Sequence, residues 1–300
     1  MSTRPTASDP AASSGNLAGI ATMVAGVFGL ATTDALAKFL GETYPVLQLV
    51  FLRSAISLPL LLMIAKFSQG GLNALRTRRP WVHVARAGLV ALGIFTFYSA
   101  LTYLPLAEVT AIAFAAPLIM TALSRPLLGE QVGWRRWSAV LVGLAGVLIV
   151  VQPGTAAFQP AALIALAAAF FYALMLITAR KFAASESALS LVVWSTAGAG
   201  VITGVLMPFT WTPMAAGDAG GFLALGSLGA ITMLLLTRAF HLAPAAVIAP
   251  FDYTALIWSL TYGWLIWGEV PAASTWAGAA VIAGAGLYVL HRESRRKTTD

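Results

Sequence analysis

Asp34, Lys38, Arg53 and Asp252 stand inside long apolar runs, and Glu108 opens another. An ionisable side chain at membrane depth costs about 2.5–3.5 kcal/mol on insertion scales, so each is a functional candidate by default. Asp34 and Lys38 are four residues apart, share one helix face and can pair. That pair serves either structure, by lowering the cost of insertion, or a substrate or a gate. Arg53 and Glu108 fall near the same end of the bundle and could complete an outer polar cluster with them; the plainer alternative is snorkelling to the interface. Asp252 differs, because no basic residue lies near it in its own segment, and Pro250 is beside it. A lone carboxylate there could bind a substrate ammonium or carry a coupling proton. The alternative is a neutral acid hydrogen-bonded to a neighbouring helix.

The aromatic residues supply the other half of a small-molecule site. Phe95, Tyr98 and Thr102 recur at helical spacing after Gly88 and Ala91, and Phe171, Met175 and Thr178 do the same further on. Such stripes usually face lipid or pack. The Tyr98 hydroxyl and Thr102 favour a cavity, since a phenol in an apolar medium needs a partner. Tyr253 follows Asp252, and Trp258 lies mid-segment, unlike Trp81, Trp134, Trp137, Trp211, Trp267 and Trp276 at segment ends, which read as interface anchors. No metal or cofactor is expected. There is no Cys, and His83, His241 and His291 give no ligand pair at helical spacing.

The elements that position these residues follow from composition. The chain is 59% hydrophobic and only 10% charged, with a mean hydropathy of +0.84. A water-soluble fold cannot hide that much apolar surface, so the fold class is an all-α integral membrane protein. Runs of about 20 apolar residues predict ten spans, near 17–40, 45–66, 81–103, 106–128, 134–152, 160–182, 188–210, 219–241, 244–266 and 273–291. Residues 1–16 read as a disordered cytoplasmic tail and 292–300 as a basic one. With the N-terminus inside, 16 of the 18 Lys and Arg residues fall on the cytoplasmic side, Arg4, Arg78, Arg86 and Lys297 among them; only Lys38 and Arg53 do not. Both termini are then cytoplasmic. The net charge of +7 thus reports topology, and nucleic acid is not expected as a partner.

The sequence also repeats. At an offset of 139, Pro105, Ala107, Gly129, Glu130 and Trp137 align with Pro244, Ala246, Gly268, Glu269 and Trp276; Phe28, Lys38 and Phe39 match Phe171, Lys181 and Phe182 at 143. Residues 17–152 and 160–291 are therefore two five-helix copies. Five is odd, so the second copy enters the membrane upside down, a pattern typical of secondary transporters. The two Gly-Glu ends read as matched fasteners of helix turns on opposite faces, with Arg135 and Arg136 near Glu130 and no base near Glu269. Pro117 and Pro250 read as hinges. Leu256 stands where the first copy has Pro117, so the halves need not bend alike. Spans 5 and 10, with Gly143, Gly146, Gly278, Gly284 and Gly286, read as scaffold or dimer contact.

The run YSALTYLPLAEVTAIAFAAPLIMTALSRPLLGEQVGWRRWSAVLVGLAGVLIVVQP and its second copy, RAFHLAPAAVIAPFDYTALIWSLTYGWLIWGE, resemble the drug/metabolite transporter superfamily, in particular its EamA-type ten-helix members. The resemblance covers residues 17–291. It implies a cavity lined by spans 1, 3, 4, 6, 8 and 9 and transport by alternating access across a bacterial inner membrane. Within the superfamily the chain is similar to amino-acid exporters, including YddG-type aromatic amino-acid exporters. The expected substrate is then an apolar or aromatic amino acid. Its ammonium would meet Asp34 or Asp252, its carboxylate Lys38 or Arg53, and its side chain Phe95, Tyr98, Phe171, Tyr253 and Trp258. A drug or other metabolite exporter is the alternative, with proton coupling and a monomeric or homodimeric state left open. An intramembrane aspartyl protease would need Asp34 and Asp252 adjacent, and no Gly-x-Gly-Asp motif is present. A channel would need a ring of like charges or a carbonyl filter, and neither is evident in the sequence.

Overall fold

The computed structural model describes residues 10–68, 71–77, 79–129, 133–182 and 185–296. Arg4, Arg78, Glu130 and Lys297 lie outside the described residues. Among the described residues there are helices and turns and no strand. The helices are α1 (Pro10–Gly41), α2 (Val46–Phe67), α3 (Pro80–Leu101), α4 (Leu106–Ala113), α5 (Ala116–Leu128) and α6 (Trp134–Val151). They continue with α7 (Ala161–Phe182), α8 (Ala188–Thr210), α9 (Ala219–Leu242), α10 (Ala245–Ile248), α11 (Thr254–Trp267) and α12 (Ala273–Arg296). Eight runs are long and apolar enough to cross a membrane, α4 and α5 counting as one. The stretch from α10 to α11 is interrupted, and the apolar part of α12, Ala273–Val289, is shorter.

One expectation about the ends, disorder up to residue 16, is corrected. Helix α1 already begins at Pro10 and α12 runs on to Arg296, so residues 10–16 and 292–296 are helical. Proline at a first helical position followed by Ala-Ala starts a helix readily, and the Arg and Glu of 292–296 propagate one well. Residues 1–9 and 297–300 of those tails lie outside the described residues.

The segments predicted as continuous spans at 106–128 and 244–266 are both broken. Helix α4 stops at Ala113, and α5 starts at Ala116 with Pro117 in its first turn. A proline ring clashes with the carbonyl four residues earlier, here that of Ala113, and offers it no N–H. In the second segment a 3₁₀ turn, Ala249–Tyr253, separates α10 from α11 and contains Pro250. The prolines do not align, yet the breaks do: at the offset of 139, Phe114 corresponds to Tyr253. Those two rings touch, with centroids 4.7 Å apart. Both broken segments end on a glycine in the left-handed region, Gly129 at φ 72° and Gly268 at φ 65°. That conformation, which glycine adopts without a Cβ penalty, terminates the helix.

Helix α1 packs on α9, and α3 on α7; α2 packs on α8, and α6 on α12; α3 also meets α8, and α2 meets α9. The two halves of the chain are thus laced together. Helices α6 and α12 approach to backbone contact, since a Cβ on Gly278 would lie 2.6 Å from the Gly146 carbonyl. The main core, around Leu49, Leu101, Leu104, Leu106, Ile112 and Ile282, is completely buried.

Candidate functional site

Helix α1 carries the charges, and its neighbours fix what they meet. Lys38 is 8% exposed. Its ammonium forms an ion pair with Glu269 and donates to the Leu104 carbonyl at 2.8 Å. The other Glu269 oxygen accepts the Leu106 amide at 2.9 Å, and the Trp267 ring lies 5.2 Å from the ammonium. Gly263 leaves room for this carboxylate, since a Cβ there would lie 2.9 Å from Glu269 Oε2. One clasp therefore ties α1, α4 and α11 at one end of the bundle. Glu108 lies within electrostatic reach of Glu269 and belongs to the same end.

The expected Asp34–Lys38 pair does not form, and Glu269 does have a basic partner. An ammonium has three donors and no acceptor. The clasp offers it a carboxylate and a carbonyl together, which the single short side chain of Asp34 does not. The expected four-residue outer cluster accordingly splits in two. Asp34 makes no ion pair or hydrogen bond among the described residues, and the charge that acts on it is Arg53. Arg53 in turn acts on the Tyr98 hydroxyl. Asp34 and Arg53 are both half-buried, Tyr98 is 4% exposed, and the Arg53 Nε is buried without a partner.

Asp252 sits elsewhere. Helices α1 and α11 run side by side in one direction: Phe28 meets Trp258 with ring centroids 4.9 Å apart, and Thr32 hydrogen-bonds the Tyr262 hydroxyl at 2.7 Å. On that register Asp252 falls near residue 22 of α1. Asp34 and Asp252 are then separated by roughly 18 Å along the helix, at ~1.5 Å per residue. They do not share a single subsite, and no aspartyl dyad can form. Asp252 lies in the 3₁₀ break of the second segment, where its charge acts on the hydroxyls of Tyr172 and Tyr253.

The aromatic stripes are only partly as expected. Phe95 is partly buried against the main core. Thr102 caps the end of α3, is exposed, and donates to the Ser99 carbonyl at 2.8 Å. Phe171 packs opposite Gly93 on α3. The Met175 carbonyl and the Thr178 hydroxyl are both engaged by Arg86, at 2.7 and 2.6 Å. Arg86, expected among the cytoplasmic surface charges, is 4% exposed and joins α3 to α7; the two oxygen acceptors explain why it is drawn inside. Tyr253 turns toward the scaffold, its hydroxyl filling the space left by Gly286, where a Cβ would lie 2.0 Å away. Trp258 holds its Nε1 buried and unpartnered.

Sequence reasoning missed Glu269 as the partner of Lys38, and Phe28, Tyr172 and Tyr262 as neighbours of the candidate residues. The helical spacing of Phe28 and Thr32, four apart as are Trp258 and Tyr262, was the available signal. Pro117 and Pro250 lie at the breaks. A shallow apolar groove of about 430 Å³ between α2 and α8, lined by Phe51, Ser54, Leu58, Thr196 and Gly200, holds none of the charged residues.

A bundle of apolar helices, with two long segments broken at positions related by the repeat and Asp252 in one of the breaks, fits a membrane transporter. The model of the EamA-like transporter family matches residues 17–152 and again 159–291. The chain belongs to that family, within the drug/metabolite transporter superfamily, and is a multi-pass protein of the bacterial inner membrane. It is 30% identical over 262 residues to an S-adenosylmethionine uptake transporter of Rickettsia prowazekii, covering 87% of this chain and 88% of that one. It is 33% identical over 234 residues to a riboflavin transporter of Rhizobium johnstonii, covering 76% of each. A pseudopaline exporter of Pseudomonas aeruginosa is 29% identical over 269 residues, 88% of this chain and 93% of that one. A solved crystal structure shares the fold, with a TM-score of 0.60 at 23% identity over 92% of this chain and 96% of that one. None of these relatives carries the name of an aromatic amino-acid exporter, and their names include both uptake and export.

Proposed function

We propose that the chain is a ten-span secondary transporter that moves small amphipathic metabolites by alternating access. Its halves, 17–152 and 160–291, would be inverted repeats with both termini cytoplasmic. The observation that carries this reading is the contact of Phe114 with Tyr253 at the two breaks. Residues that correspond in a repeat can touch only near the axis relating the halves. The packing supports the same exchange: α1 on α9 mirrors α7 on α3, and α2 on α9 mirrors α8 on α3. The family model also matches each half separately. A substrate site between such halves lies where discontinuous helices meet, which puts Asp252, Pro117 and Pro250 at its floor and Asp34, Arg53 and Tyr98 nearer the clasp.

The substrate we favour is an amphipathic metabolite with an aromatic body, for which Phe28, Trp258 and Tyr262 provide a wall. The names of the relatives, S-adenosylmethionine and riboflavin, fit that description more broadly than an aromatic amino acid alone. Proteoliposomes loaded with S-adenosylmethionine, riboflavin or L-phenylalanine should exchange at least one of them against external label. Failure with all three would refute the substrate class. Running the assay with and without a pH gradient, in wild type and Asp252→Asn, tests proton coupling. A variant that responds to the gradient as wild type does would remove Asp252 from that role. An organic-cation exporter is the second reading, favoured by the lone acid beside Tyr172; competition by tetraphenylphosphonium at the same site would support it.

A further inference from the structure

Two opposite charges stand close together on α1 and α2 without closing on each other. The contacts of α9 give the level of each. Gly221 faces Leu40, and Gly29 faces Thr232, so α1 and α9 are antiparallel and Gly229 falls opposite residue 32 or thereabouts. The Arg53 guanidinium lies on Gly229, where a Cβ would come within 3.3 Å of Nε and Nη2. It therefore sits within about one turn of Asp34 along α1. Yet the two groups are not within 4.0 Å of each other: the ion pairs among the described residues are Lys38 with Glu269 and His83 with Glu186. The guanidinium is seated against Gly229 instead. Tyr98 makes no hydrogen bond among the described residues, and the Thr232 hydroxyl, one turn along α9 from Gly229, is buried without a partner.

Each of these groups is costly to leave unpaired. Lys38 shows that this bundle pairs a charge where it can. Snorkelling does not account for Arg53, because its head is turned inward onto α9. The simplest object that satisfies both charges at once carries an ammonium and a carboxylate a few ångströms apart.

We propose that Asp34 and Arg53 form a slot for the zwitterionic head of an amino-acid-type metabolite, with the ammonium on Asp34, the carboxylate on Arg53, and Tyr98 as a hydrogen-bonding neighbour. This rests on the transporter reading above and narrows its substrate class. Lys38, considered from sequence for the carboxylate, is taken by the clasp. The slot lies one turn beneath that clasp, so a bound head is covered from that end.

The test uses the full chain in lipid nanodiscs and three probes sharing one nucleoside. S-adenosylmethionine has both groups, decarboxylated S-adenosylmethionine keeps the ammonium, and 5′-methylthioadenosine has neither. Wild type should bind them in that order, with about tenfold lost at each step, near 1.4 kcal/mol. Arg53→Gln should weaken S-adenosylmethionine to the level of the decarboxylated compound and leave the latter unchanged. Arg53→Lys should recover part of the difference. Asp34→Asn should weaken the first two probes and spare the third. Equal binding of all three by wild type, or a uniform drop for all three in the variants, overturns the slot. Proteoliposomes that move riboflavin or methylthioadenosine without preferring the zwitterion would leave the transporter reading standing and remove the slot. No binding and no movement of any probe would remove both.

Discussion

The clasp at Lys38 and the slot at Asp34 lie one helical turn apart on α1 and treat charge in opposite ways. In the clasp each ionised atom has a partner, and the cation also has an aromatic ring. In the slot an acid and a base stay apart, with neighbours that donate nothing to them. Burying a paired charge holds helices together; burying an unpaired one stores binding capacity. On the proposed reading, the difference separates a structural charge, Lys38, from a ligand-binding one, Asp34, which sequence spacing alone had merged.

That contrast can be broken by substitution, and the largest effect should fall on the slot. Arg53→Gln is expected to weaken binding and transport of the zwitterionic probe about tenfold, as the carboxylate contact is a charge-assisted one. Its thermal stability should be unchanged or raised, because an unpaired buried charge has gone. A large fall in melting temperature would show that Arg53 is structural. Next comes Glu269→Gln. Removing one partner of a buried pair costs about 3–5 kcal/mol, so this variant should melt well below wild type while its probe preference stays intact. An unchanged melting curve would make the clasp ornamental. Trp258→Phe removes an indole N–H that has no protein partner. If that donor serves the ligand, affinity should fall several-fold without loss of stability; equal affinity would assign the residue to packing against Phe28. The smallest effect is expected for Gly229→Ala. Its Cβ would meet the guanidinium at 3.3 Å, shifting Arg53 by a few tenths of an ångström and changing KM about two- to fivefold with little change in maximal rate.

Much of the scaffold was legible in the sequence. Apolar runs, Pro and Gly punctuation and the Gly-Glu pair located the helices, because in lipid a helix must satisfy its own backbone. The offset of 139 that sets the repeat also relates Phe114 to Tyr253, whose rings touch. The candidate site was legible only in its ingredients. Asp34, Arg53 and Tyr98 do lie together, but spacing within one helix assigned Lys38 to Asp34, when its partner, Glu269, was 231 residues away. Local periodicity carries no information about which distant acceptor is better. The settings of Thr102 and Tyr253 could not be read from spacing either. A hydroxyl at a helix end finds its own backbone, and a phenol follows whatever gap a glycine such as Gly286 leaves on another helix. Arg86 looked like a topology marker because charge counts ignore where a guanidinium can find two oxygens.

The lacing of α1 to α9, α3 to α7, α2 to α8 and α6 to α12 has a consequence for how the protein is made. Each of those pairs joins an early helix to a late one. A chain emerging from the ribosome delivers α1 to α6 first, when Lys38 still lacks Glu269, and Arg86 still lacks the oxygens of Met175 and Thr178. The early helices must therefore wait in the bilayer with charges uncompensated until the second half arrives. The biogenesis of this protein thus has a vulnerable interval: truncation after residue 152 leaves helices whose core has lost Ile282 and whose main packing partners, α7, α8, α9 and α12, are gone, a substrate for membrane quality control and not a smaller transporter.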